Sequence, residues 1–266
     1  MTSTRERRSP NDRRRSSAER SKELLAAIEQ NQVELLFQPQ FSCADGRVIG
    51  AEALARWKHP QRGPVGVESL FDRAGNAREA AALTHHIAVR ALAAAAGWPD
   101  NLRLSLNVTA ADISAVDFAD GLRVLVRESR FDTTRLTLEL TEQALVHDVE
   151  GSAAQLAGLV SDGMRIALDD FGAGFCNFRY LKLLPLDYLK LDRTMVEGIA
   201  ADERDLAVLR AIVAMAGALD LAVIAEGIET EAQLDKVRAE GCAAFQGFLR
   251  ARPMEAEAFV SFARSG

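Results

Sequence analysis

Three observations predict an α/β fold, a TIM-like (β/α)8 barrel with an antiparallel first strand. Eight short apolar runs alternate with helical segments through the 266 residues, a length that suits one barrel. The first two runs flank Asp45-Gly46, a hairpin dipeptide, so the first strand runs against the others. No Gly-x-Gly-x-x-Gly follows a strand, which argues against an open doubly wound sheet.

Residues 1–20 hold seven arginines among Ser, Asn, Asp and Pro. They are expected to form a disordered Arg-rich tail, leaving 21–266 as one folded domain. A helix is expected over 21–30. Strands at 33–37 and 48–54 form the hairpin, which sets Gln38 opposite Glu52 or Ala53. His59, Pro60, Gly63 and Pro64 read as a loop. The Ala-rich segment 78–96 favours helix by composition. Strand 102–106, helix 118–128, strand 136–140 and helix 151–162 follow. The run from Arg165 stops at Asp169, Asp170 and a Gly-Ala-Gly turn, as a buried strand entering a loop does. After it come helix 178–184, strand 188–191, helix 203–218 and strand 221–225. Thr230 with Gln233 forms a capping box that opens the next helix. Strand 242–245 and helix 255–263 close the chain.

Composition narrows the function. The net charge of −6 argues against a nucleic-acid binder. Three scattered cysteines suit a reducing compartment without a disulfide framework. No His pair has zincin spacing and no Cys-x-x-Cys occurs, so zinc is not expected. No apolar run reaches the roughly 18–20 residues that span a bilayer. With no signal-peptide core either, a cytoplasmic location is expected.

The strand ends carry the chemistry. Glu52, Asn107, Glu139, Asp169 with Asp170, Lys190 with Asp192, Glu226 and Gln246 each fall at or just inside the C-terminal end of a predicted strand. In a barrel these ends meet at one rim, where barrel enzymes keep their active sites. Singly, each has a plain structural use: a carboxylate paired with Arg56, a turn cap, a solvated edge, a helix start at Glu229. Together they repel one another unless cations lie among them. Oxygen-only donors suit one or two Mg²⁺ or Mn²⁺ ions. Two such metals, about 3.5–4 Å apart, serve phosphate-ester hydrolysis. Arg56 is placed to bind a phosphate in bidentate fashion.

Glu52-Ala53-Leu54-Ala55-Arg56-Trp57 resembles the signature of the EAL-domain family, the cyclic di-GMP phosphodiesterases. The resemblance continues through Phe37-Gln38-Pro39, Asn107-Val108-Thr109, Glu139-Leu140-Thr141-Glu142, Asp169-Asp170-Phe171-Gly172, Lys190-Leu191-Asp192, Ala225-Glu226-Gly227-Ile228-Glu229-Thr230 and Gln246-Gly247. It implies a barrel with an antiparallel first strand and hydrolysis of cyclic di-GMP to linear pGpG with Mg²⁺ or Mn²⁺. By the same resemblance, Glu52, Asn107, Glu139 and Asp169 match ligands of a first metal, and Asp169 and Asp170 those of a second. Lys190 matches the residue that orients the attacking water and Glu226 the general base. Gln38, Arg56 and Gln246 match substrate contacts. Glu142 matches a brace for the loop after the fifth strand. Asp192 and Glu229 match acidic positions without an assigned role. A homodimer is implied. An inactive module that binds the nucleotide or a protein is the alternative. The sequence departs from the family pattern over Val67-Glu68-Ser69-Leu70-Phe71-Asp72-Arg73-Ala74-Gly75, in the loop Gly172-Ala173-Gly174-Phe175-Cys176-Asn177-Phe178, and at Ala243.

Overall fold

The structure is a computed structural model that describes residues 10–141, 149–174 and 178–265. The strands are β1 (Val33–Ser42), β2 (Val48–His59), β3 (Gly63–Gly66), β4 (Arg103–Val108), β5 (Leu136–Thr141), β6 (Arg165–Phe171), β7 (Tyr188–Leu191), β8 (Ala222–Ala225) and β9 (Ala244–Phe245). All but β3 form a closed ring in the order β1-β9-β8-β7-β6-β5-β4-β2, with β1 returning to β2. Strand β1 is antiparallel to both neighbours, and the strands from β2 through β9 around the ring are parallel. The predicted eight-stranded barrel with a reversed first strand is therefore observed. Gln38 stands opposite Glu52 in the β1–β2 register.

One stretch differs from the sequence reading. Gly63–Gly66, read as loop because of its Gly and Pro, is the short edge strand β3. It pairs with the far end of β2, from Arg56 to His59. An edge strand tolerates a proline because one side of its backbone needs no ladder partner. Helix α1 is described over Pro10–Glu29, and Leu24 and Ala27 on it are buried.

The other helices are α2 (Glu68–Phe71), α3 (Ala77–Ala95), α4 (Ala110–Ile113), α5 (Phe118–Ser129), α6 (Val149–Ser161), α7 (Phe178–Leu183), α8 (Arg193–Val196), α9 (Glu203–Ala218), α10 (Glu231–Ala239) and α11 (Ala256–Ser265). Side-chain caps fix several starts. Asn76 accepts from the Glu79 N–H at α3, and Thr109–Asp112 and Thr230–Gln233 are complete capping boxes at α4 and α10. The main core joins barrel strands to the surrounding helices, with Phe37, Leu104, Leu138, Ile166, Leu189 and Phe245 buried in it. A second cluster, Leu24, Ala27, Trp57, Leu70 and Leu83, holds α1, α2 and α3 against the extended end of β2. Each such Leu contributes about 1.5–3 kcal/mol by leaving water.

One irregularity positions the site. The β6–β7 register shifts between Leu168 and Phe171, so that Asp169 and Asp170 together face the single residue Lys190. Asp170 takes a left-handed backbone, φ 55°. This is a β-bulge, and it delivers two adjacent carboxylates to one mouth where regular alternation would send them to opposite faces.

Candidate active site

Lys190 is the hub of the barrel mouth. Its side chain has no solvent exposure, and its ammonium contacts four carboxylates. Glu226 Oε1 lies 2.7 Å away, Asp169 Oδ1 3.0 Å and Glu52 Oε2 3.4 Å, and Glu139 is also in direct contact. Gln246 Nε2 braces the ring, donating to Glu52 Oε2 at 2.8 Å and Glu226 Oε1 at 3.0 Å. Asn107 Nδ2 donates to Glu52 Oε1 at 2.9 Å. Gln40, which the sequence reading passed over, supports this brace by donating to Gln246 Oε1 at 3.2 Å. Its signal was alternation: Gln38 and Gln40 are two apart on β1.

The electrostatics follow from burial and crowding. Burial opposes charge on Glu52, but the Lys190 ammonium and the hydrogen bonds from Gln246 and Asn107 outweigh it and hold this carboxyl below its usual range. Burial pushes Glu139 well above its usual range; Lys190 opposes this, and the charges of Glu52, Asp169 and Glu226 add to it. Burial, reinforced by Asp169 and Glu52, raises Glu226 to about 8 against the pull of Lys190. Burial and then the neighbouring Asp169 and Asp192 raise Asp170. Burial works against charge on Lys190, yet its carboxylate neighbours outweigh it and keep the ammonium protonated.

The donor set fits a hard divalent cation. Glu52, Glu139 and Asp169 each offer an oxygen within 4.8 Å of the others. Glu139 Oε1 is buried without a hydrogen-bond partner, a costly state that an ion would relieve. Asp170 and Arg56 line the same cleft of about 580 Å³, together with Val67, Glu68 and Phe71 from the departing segment. That volume lies in the range of small-ligand sites.

The remaining predicted residues take separate places. The Arg56 guanidinium donates to the Ala55 carbonyl, and Glu52 pairs with Lys190 rather than with Arg56. Gln38 is buried and donates to the Ala251 carbonyl at 2.7 Å. Asp192 caps α8 through Thr194, and Glu229 pairs with Arg193 at 3.1 Å. Glu142 lies outside the described residues.

The family model for the EAL domain matches residues 21–253. This chain belongs to the EAL-domain family. It is 34% identical over 247 residues to the cyclic di-GMP phosphodiesterase NbdA of Pseudomonas aeruginosa, covering 91% of this chain and 32% of that protein. It resembles the structure of the PaMucR phosphodiesterase in complex with c-di-GMP, with 33% identity, a TM-score of 0.83, and coverage of 91% of this chain and 99% of that one. It also resembles the EAL enzyme Bd1971 in its cAMP- and cyclic-di-GMP-bound form, with 28% identity and a TM-score of 0.86, covering 93% of this chain and 69% of that one. The EAL chain described here spans about a third of the length of the curated relatives it matches. No described helix is long and apolar enough to cross a membrane.

Proposed function

We propose that this EAL domain hydrolyses the bacterial second messenger cyclic di-GMP to linear pGpG with Mg²⁺ or Mn²⁺, two ions per site. The observation that carries the reading is the convergence of Glu52, Glu139 and Asp169 on one point beside Lys190 and Glu226. Asn107 would complete the donor set of a first ion, and Asp169 and Asp170 would hold a second. When bound, such ions polarise the phosphoryl group and acidify water.

The chain's own residues supply the rest. Lys190 orients the attacking water. Glu226, once it has released the proton that burial favours, takes the proton of the water, and a carboxyl raised to about 8 then holds it near neutral pH. Arg56, on the cleft wall, binds a phosphate, and Gln246 and Gln38 complete the substrate contacts. In this reading the chain works in the cytoplasm as a homodimer, a state that light scattering at micromolar concentration tests.

The test of function is incubation of cyclic di-GMP with the purified chain, with Mn²⁺ or with a chelator, and chromatography of the products. Appearance of pGpG only with metal supports the reading. Intact nucleotide that nonetheless binds would assign the chain to the receptors instead.

A further inference from the structure

At the opposite end of the barrel from the carboxylates, the floor is cationic. Arg103 and Arg165 begin β4 and β6, and Tyr188 begins β7. Arg103 Nη1 donates to Tyr188 Oη at 2.6 Å, and Arg165 Nη1 donates to the same oxygen at 2.9 Å. Two permanently charged guanidinium groups thus meet on one neutral phenol. Among the described residues neither has a carboxylate partner. They line a cavity of about 280 Å³ whose walls include Gln40, Ser105 and Thr137, all buried. Ser105 and Thr137 are direct neighbours in the β4–β5 register. The arginines and the tyrosine are only half-buried, so solvent reaches the cavity.

Like charges gathered in a partly buried cavity are unfavourable unless an anion lies between them. The remaining N–H groups of each guanidinium match the oxygens of a tetrahedral anion. Tyr188 Oη accepts from both arginines, which leaves its own proton to donate. We infer that this cavity is an oxyanion site for a phosphate group, free or as a monoester, held between Arg103, Arg165 and Tyr188. It is separate from the acidic mouth, and Gln40 joins the two by lining the cavity while donating to Gln246.

The test is calorimetric titration of the full chain, held in chelator so that no metal carries the anion, with inorganic phosphate and separately with adenosine monophosphate. Saturable one-site binding is expected. It should weaken at least about tenfold, or 1.4 kcal/mol, in Arg103→Met and Arg165→Met and persist in Arg56→Met, which alters the other end of the barrel. Tighter binding of inorganic phosphate identifies the free ion as occupant, and tighter binding of the nucleotide identifies a monoester. A crystal of the unsubstituted chain soaked in tungstate should show the heavy atom between the two guanidinium groups, whether or not the variants fold. No saturable binding, binding indifferent to both floor arginines, or tungstate found only elsewhere would overturn the site and leave the arginines as a plug for the barrel floor.

Discussion

Lys190 Nζ lies 2.7 Å from Glu226 Oε1, and no part of the lysine side chain reaches solvent. A buried ammonium with four carboxylates around it offsets part of their charge and keeps their oxygens together. Removing one partner of a buried ion pair costs about 3–5 kcal/mol, because the charges left behind are uncompensated. Lys190→Met is therefore expected to destabilise the metal-free chain by about that amount in urea unfolding, and to lower kcat far more than it changes KM. An unchanged unfolding midpoint would show that the lysine is dispensable to the ring.

The ring also dictates how stability varies with pH. In the fold Glu226 keeps its proton up to about 8, against 4.5 for the free side chain, and Glu139 is raised in the same direction. Between those pH values the folded chain holds a proton that the unfolded chain has released. Stability of the metal-free chain is thus greatest with respect to this group below about 4.5 and falls as pH rises toward about 8. Glu226→Gln should flatten the fall. Urea midpoints in chelator across this window measure it, and a rise in wild-type stability from pH 5 to 8 contradicts the assignment.

Gly247 follows the brace residue Gln246. A Cβ there would lie 2.1 Å from the Ile228 carbonyl oxygen and 2.3 Å from its nitrogen, so the contact is with backbone. Overpacking of this kind costs about 1–3 kcal/mol. Gly247→Ala is expected to lower stability by that much and to weaken metal binding by shifting Gln246 away from Glu52. A variant with wild-type melting and metal affinity would show that this close approach is not needed.

The element order was legible because apolar runs, caps and the Asp45-Gly46 turn each act locally. The same turn left Gln38 opposite Glu52 or Ala53, and the register shift between Gln40 and Phe41, which no local signal announces, accompanies the observed pairing with Glu52. The convergence of polar residues at one rim was legible because strand ends converge in any barrel. Strand β3 was not legible, since Gly63 and Pro64 look like loop residues and only pairing with β2 makes them a strand. Lys190 was expected at a strand end, but its place at the centre of four carboxylates needs the three-dimensional ring. Asp170 reaches the mouth only through the bulge, which strict alternation does not foresee. The floor arginines sit at the starts of strands, away from the ends that drew the sequence reading.

The most direct test compares cyclic di-GMP turnover by the unsubstituted chain and by Glu52→Ala at saturating Mn²⁺. Glu52 touches Lys190, Asn107 and Gln246, so its loss removes an oxygen of the proposed metal site and the anchor of the brace. The unsubstituted chain is expected to release pGpG, and Glu52→Ala to lose activity beyond the roughly 10–100-fold typical of an outer partner of a metal ligand. Turnover within about twofold of the unsubstituted chain would contradict that expectation.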